Sequence, residues 1–460
     1  MVPRRPWSRV PLSWTRRGLA LLLAGAGLAL GQPISPPPSQ PGDGVAFQSP
    51  FVSPRFADQE RLPATPALWS APVDFSDESR TVTASGGVVV SLDRGTLSAR
   101  DLRDGRVLWK KGGFGPGLTA SERWLAAIDR EGRVMVADLK TGRERWRRRV
   151  AGDPSGLRWS GDLLLVWGMP LGSQAARDQA FEAASGTRRI VTRPGERLEA
   201  RTGGLLLGSR FDEGSLRRPG TFAAWDLSTG TRRWEVQAAA FLRREGRVLY
   251  FRANSPDLGL QAGRGILPLL SVDAPSGRVT ERAVPVAFPE LSGAPGATYG
   301  AEVRMDGTCL WVAGLSAGAL RMVTCQRRDG EPGGRRIELP ETYGSPRAGW
   351  IAGPAAGRLW FSDAQRRVWS ARTGGGPVQS YPPHGTFTQL SRFDVTGGRV
   401  VVASTDGQLL VYPLEGTDQA NAAIPRSRHV TDSRFFGPSV VEGDLLLVQG
   451  ERRIEVFRTR

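Results

Sequence analysis

The chain has 460 residues, with 58 Gly and 34 Pro but only two Cys and two His, so turns are abundant and sites built from clustered thiols or imidazoles are all but excluded. Its formal charge is +17. Such a balance favours anionic partners if the charge is focused, and is merely solubilising if the arginines are spread over many solvated turns.

The N-terminus reads as a targeting segment. Residues 1–17 carry only positive charge, Gly18–Leu30 is apolar, and Ala29-Leu30-Gly31 places small residues where a signal peptidase reads. The apolar run is shorter than the roughly 20 residues a spanning helix needs. Cleavage near Gly31 and export to the periplasm or cell surface are expected. Thr15-Arg16-Arg17-Gly18-Leu19-Ala20 leaves the twin-arginine and general export routes both open. Removing residues 1–31 takes away five arginines and no acid, so the mature chain stays basic. Residues 32–65 include Pro33-Ile34-Ser35-Pro36-Pro37-Pro38-Ser39-Gln40-Pro41 and read as an extended, solvated linker.

From residue 66 onward the sequence is repetitive. Ala99–Trp109 (ARDLRDGRVLW), Val136–Trp146 (VADLKTGRERW) and Ala224–Trp234 (AWDLSTGTRRW) align without gaps. They place Asp101, Gly105 and Trp109 on the same spacing as Asp138, Gly142 and Trp146, and as Asp226, Gly230 and Trp234. The Asp can accept N–H bonds from the following turn, the Gly can take that turn's positive φ, and the Trp opens the next strand with a large ring to bury. Weaker copies keep only the glycine, in a series Gly105, Gly142, Gly186, Gly230, Gly277, Gly330, Gly374 and Gly416. A period of about forty residues marks propeller blades. Short apolar runs such as Gly87–Ser91 with Gly95–Arg100, and Arg399–Ala403 with Gln408–Tyr412, read as hairpins joined at Asp-Arg-Gly and Thr-Asp-Gly turns. No stretch beyond the leader has helical periodicity.

Near the C-terminus, Gly443–Gln449 and Arg453–Phe457 supply two strands without a following Gly or Trp, and Ala67-Leu68-Trp69-Ser70-Ala71-Pro72 is the candidate for the missing outer strand. The expectation is an all-β fold over residues 66–460: a propeller of four-stranded blades closed by its N- and C-terminal strands, which removes free sheet edges. A literal count of modules is nine. Eight is the commoner size, so eight blades are expected, in a range of seven to nine, with one incomplete module in the irregular stretch 240–340.

This Asp-x-x-x-Gly-x-x-x-Trp element resembles the tryptophan-docking repeat of quinoprotein-like (PQQ-like) propellers, a family that includes quinone-dependent dehydrogenases and non-catalytic scaffolds such as the propeller lipoprotein of the outer-membrane barrel-assembly machinery. The resemblance implies that each Trp packs on the neighbouring blade. The dehydrogenases hold the quinone PQQ beneath a vicinal disulfide beside a calcium site; here Cys309 and Cys325 are too far apart in sequence for such a pair. His384 and His429 are read as loop residues without a matching acid pattern. No catalytic or metal-binding residue is therefore assigned and no cofactor is expected, with PQQ in a degenerate site kept as the alternative.

The cysteines are assigned to a structural bond. A hairpin centred on Ala317 sets Cys309 opposite Cys325, and export keeps such a bond oxidised. The densest basic cluster, Arg143 to Arg149, contains Arg145, Arg147 and Arg149 on one strand face as a candidate patch for an anionic partner. The functional expectation is a non-catalytic scaffold contacting envelope proteins. A PQQ- or sugar-linked oxidoreductase, and a binder of an anionic membrane surface or polysaccharide, are the alternatives; nucleic acid is disfavoured outside the cytoplasm.

Overall fold

The computed structural model describes residues 46–48, 64–74, 81–169, 177–211, 219–253, 264–287, 301–307, 309–316, 319–327, 336–338, 350–362, 368–375, 378–381, 390–414 and 426–459. The leader, most of the linker and His384 lie outside them. Among them are nine antiparallel sheets, eight of four strands and one of five, and no helix. Numbered along the chain, blades one to eight cover residues 82–112, 114–149, 153–191, 196–237, 240–287, 301–338, 350–381 and 390–430. The ninth joins Val440–Glu442, Leu445–Gln449 and Arg453–Arg458 to Trp69–Pro72, which pairs with Arg453–Val456 as the outer strand. The closure expected from the two chain ends is present.

The blade number corrects the expectation of eight. The stretch 240–340 holds two complete sheets, not one and a fragment. Their strands run to nine and ten residues at Arg264–Asp273, Val279–Ala287 and Ala319–Arg327, and the module lacks the marker tryptophan, which is why the repeat is faint there.

The reason the strands are apolar on both faces is the packing between blades. Each interface holds one buried cluster, nine in all among the described residues. Successive side chains on a strand point to opposite faces. In Val88-Val89-Val90, Val88 and Val90 pack on blade two while Val89 packs on the ninth blade. The same split sends Val400 and Val402 to blade seven and Val401 and Ala403 to the ninth. Between the ninth and first blades, the Gly87 N–H donates to Glu442 Oε1 at 2.8 Å and Gln449 Nε2 to Thr81 Oγ1 at 2.8 Å, so the ring closes through polar contacts as well.

Turn chemistry follows the sequence closely. In Asp93-Arg94-Gly95, Arg94 and Gly95 both take positive φ, 48° and 77°, the backbone that a two-residue hairpin turn demands. In blade seven the positive φ falls on Gly375 (100°), one residue later than the glycine counted in the series.

Cys309 and Cys325 are bonded, with Cα atoms 5.1 Å apart. They are diagonal neighbours and do not face each other as expected: Cys309 stands opposite Arg327 and Trp311 opposite Cys325. The turn pairs Ser316 with Ala319, one residue off a hairpin centred on Ala317, and a register shift between Gly314 and Leu315 adds a second residue of offset. The bond closes a loop of 16 residues. Replacing both cysteines by serine should lower the unfolding free energy by about 3 kcal/mol, read as a lower urea midpoint; wild-type protein in reductant should show the same shift.

Candidate functional site

The repeat residues form one recurring junction. In blade one the Gly105 N–H returns to the Asp101 carbonyl at 3.0 Å, and Asp138 with Gly142 and Asp226 with Gly230 do likewise at 2.9 and 2.8 Å. The carboxylates face the same turns: Asp101 Oδ1 accepts from Arg103 N–H at 2.8 Å, Asp138 Oδ1 from Thr141 N–H at 2.9 Å, and Asp226 Oδ1 from Ser228 N–H at 2.7 Å. The Ser228 hydroxyl and the turn N–H groups hold the Asp226 carboxyl well below the usual range. Gly105, Gly142 and Gly230 take φ of 73°, 68° and 72°.

Each tryptophan reaches across to the next blade. Trp109 Nε1 donates to the Leu139 carbonyl at 3.0 Å, Trp146 to Ala183 at 2.8 Å, and Trp234 to Ala274 at 2.8 Å. Trp69, at the closing blade, donates to Leu102 at 2.9 Å and so completes the circle. The acceptor is always the residue after the Asp or Glu of the next blade. The rings lie on the turn glycines: a Cβ at Gly142 would stand 2.6 Å from the Trp109 ring, and at Gly105 2.8 Å from Trp69. Only glycine fits both the positive φ and the ring above it.

The arginines sort into fasteners and surface groups. Arg147 donates to Asp129 and to Glu144, each at 2.8 Å, and its guanidinium lies over the Phe114 ring. Burial opposes charge on Asp129, but bonds from Arg133 and Arg147 hold its carboxyl below the usual range. Arg145 donates to the Ala184 carbonyl of blade three at 2.9 Å, and Arg149 is exposed. The three proposed patch residues therefore have different surroundings on the one strand Glu144–Arg149. A second arginine pattern was invisible in the marker repeat: Arg201, which bonds Asp162 at 2.5 Å, lies on Gly161 of blade three, and Arg244 lies on Gly203 of blade four. Its sequence signal is an arginine two residues before a turn glycine, in Arg201-Thr202-Gly203 and Arg244-Glu245-Gly246.

Two buried titratable groups also escaped the sequence reading. Asp178, fully buried between blades three and four, accepts from Leu198 N–H at 2.8 Å and Gly168 N–H at 3.2 Å, with Arg197 at 3.4 Å. Burial outweighs those partners and pushes its carboxyl up to about 6. His429 corrects the loop assignment: it lies on the strand Ser427–Val430, fully buried, with its ring 4.5 Å from Phe457. Its Nδ1 bonds the Thr65 carbonyl at 3.3 Å, while burial lowers its pKa. The backbone around it is joined to the last residue expected in the linker, since Thr65 N–H donates to the Arg428 carbonyl at 2.9 Å.

Residues expected in the linker also pair with a first strand. The first strands of neighbouring blades lie against one another, as Val82–Ser85 does on Phe114–Ala120 and Phe114–Ala120 on Asp153–Ser160, so first strands form the inner wall. Ala46–Gln48 pairs antiparallel with Leu390–Thr396, the first strand of blade eight, and adds the fifth strand on that inner side.

The vicinal disulfide that covers PQQ in the dehydrogenases has no counterpart in this chain. Both cysteines are used in one cross-hairpin bond, leaving none for a vicinal disulfide, and no group of three metal-ligating side chains occurs among the described residues.

Against this geometry, a family model described as outer membrane protein assembly factor BamB matches residues 93–245. The chain thus resembles the quinoprotein-like (PQQ-like) propellers, and the match spans all three full copies of the repeat. No curated protein matches the chain. Solved structures with similarity include BamB from Moraxella catarrhalis, at 14% identity and TM-score 0.40 over 84% of this chain and 98% of that one. Quinohemoprotein alcohol dehydrogenase ADHIIG from Pseudomonas putida HK5 shows 12% identity and TM-score 0.39 over 88% and 78%. Saccharomyces cerevisiae Sqt1 shows 10% identity and TM-score 0.45 over 85% and 98%. None of these likenesses carries a substrate or partner over to this chain.

Gly142→Ala should destabilise by more than about 1 kcal/mol, where an unstrained glycine replacement would stabilise slightly, because alanine disfavours the φ of 68° and its methyl must displace Trp109; a Trp109→Ala, Gly142→Ala double variant should lose less than the sum, measured by urea unfolding. Asp178 sets a pH dependence. An unfolded Asp deprotonates near 3.8 and Asp178 near 6, so the folded state holds the extra proton in that window. Wild-type stability relative to Asp178→Asn should be greatest below pH 3.8 and fall by up to about 3 kcal/mol as pH rises through 6.

Proposed function

We propose that the chain is an exported, non-catalytic propeller scaffold that mediates protein interactions in assembly or maintenance of the cell envelope. The observation carrying this reading is the BamB-type family match over residues 93–245, which spans the three full copies of the docking repeat. A protein-interaction role fits it at the level of the fold, and the envelope setting is the further step. In this reading residues 1–31 are a cleaved leader, residues 32–65 connect it to the propeller, and the mature protein works in the periplasm or at the cell surface. The disposition of polar groups supports binding over catalysis. Asp129, Asp178, Asp226 and Asp394 each bond N–H groups or arginines that hold turns and blades in place.

Immobilised mature protein should retain a defined set of envelope proteins both at low salt and near 0.5 M salt, where the Debye length falls to roughly 4 Å. Retention of an acidic polymer that elutes steeply with salt would favour the polysaccharide reading instead. Stoichiometric PQQ binding with calcium-dependent dye reduction would overturn the scaffold.

A further inference from the structure

His429 stands on the face of Ser427–Val430 that is turned to the ninth blade, paired with Leu409 and against the Phe457 ring at 4.5 Å. Leu409 and Phe457 belong with Val411, Phe436 and Val448 to the apolar cluster between the two blades, and the imidazole is fully buried. Its Nδ1 lies 3.3 Å from the Thr65 carbonyl oxygen, which can only accept, so Nδ1 carries the proton and Nε2 keeps a lone pair. Nε2 is buried and meets no donor, and Ser427 Oγ, two residues along the same face, is buried and does not bond it. A proton added at Nε2 would set an unmatched, charged donor among hydrocarbon side chains.

The ring fastens three pieces of chain. The Thr65 carbonyl takes its Nδ1–H, the Thr65 N–H donates to the Arg428 carbonyl at 2.9 Å, and Ala64 bridges Arg428 in parallel. Residues 64–68 carry no ionisable side chain. From the ninth blade, Glu455 faces the same interface two residues before Phe457, and Arg453 pairs with Asp432 at its rim. At the inner end Asp394 is bonded to Arg392 and to the Ser439 N–H. The remaining ionisable groups of these elements are turned elsewhere. Tyr412 packs towards blade seven, Arg428 donates to Gln408, Glu442 accepts from Gly87, Arg458 meets Asp444, and Arg426 and Arg434 are exposed.

We propose that His429 is a proton-operated latch. Neutral, it holds Ala64 and Thr65 on the outer strand of blade eight and that strand on the ninth blade; protonated, it parts this seam and frees both segments. The latch goes beyond the scaffold reading and does not depend on what the propeller binds. Its sense is opposite to that of the buried acids. Burial raises Glu455 and Asp178, so the folded state takes up their protons first and acid favours the closed form through them. Burial opposes charge on His429, so the open form is protonated first and acid favours opening.

The test follows amide exchange of the mature chain, each rate divided by that of the unfolded peptide at the same pH. An exposed imidazole titrates near 6.5, so opening at residues 64–65 and 427–430 should rise by up to about thirtyfold between about pH 8 and about pH 5. Val88–Asp93 of blade one should not follow. His429→Phe keeps a ring against Phe457 but takes no proton, and should abolish the pH dependence of both segments. In His384→Gln, where His429 is the single imidazole, nitrogen-15 shifts should show the neutral Nδ1–H form at neutral pH, with charge appearing together with the loss of protection. Protection that is equal at both pH values, a loss that persists in His429→Phe, or an imidazole already charged at neutral pH would each overturn the latch. If His429→Phe does not fold, the His384→Gln protein decides: charge on the ring while residues 64–65 and 427–430 stay protected would overturn it, and coincident transitions would support it.

Discussion

A sheet whose two faces are both apolar has to be covered on both, and here each blade is covered by its two neighbours. The junction that aligns them is a tryptophan laid over the turn glycine of the next blade, its indole N–H bonded to the carbonyl beside that turn. The indole contributes a large apolar area, and the single donor it would otherwise bury unmatched finds an acceptor in the same contact. Because the acceptor and the glycine belong to one turn, a displaced blade loses the hydrogen bond and the ring packing together. Position is thus transmitted from blade to blade around the ring, and Trp69 applies the same contact at the seam, on Gly105 and Leu102 of blade one.

Where tryptophan is absent, other groups take the load. Ile190 stands where blade three would carry the ring, and the Gly230 turn is met instead by the Arg189 carbonyl, so close that a Cβ at Gly230 would lie 2.1 Å from it. The same interface holds buried Asp178 with N–H donors from both blades, and Arg201 spans it to Asp162. Much of the positive charge is consumed in this way. Arg133, Arg147, Arg201 and Arg233 each face a carboxylate, so the number of arginines, though not the net charge, overstates the free cations a partner would meet.

The chain's N-terminal part is tied to the last two blades in three places: the inner edge of blade eight, its outer strand at Arg428, and the outer position of the ninth blade. His429 lies beneath the middle one, bonded to Thr65 and stacked on Phe457. At the first two the described contact is main-chain pairing, while at the third Trp69, Ala71 and Val73 also join a buried cluster. Hydrogen bonds between backbones leave no mark on residue type, which is why composition read residues 46–48 and 64–65 as solvated spacer.

The repeat, the turn glycines and the closing role of Trp69 were legible because each depends on local chemistry: a positive φ, a carboxylate two or three residues from the N–H it caps, a ring that must be buried. The doubly apolar runs such as Val88-Val89-Val90 and Val400–Val402 likewise declared strands with two covered faces. The number of blades was decided only by the tertiary structure, since blades five and six pack through Leu267, Leu269, Val303 and Val312 without the marker ring. The offset of Cys309 from Cys325, the burial of His429 and Asp178, and the division of Arg145, Arg147 and Arg149 among separate contacts were decided there too. Each depends on which distant backbone arrives opposite a given residue, and a period in the sequence specifies the unit that repeats, not how its neighbours meet.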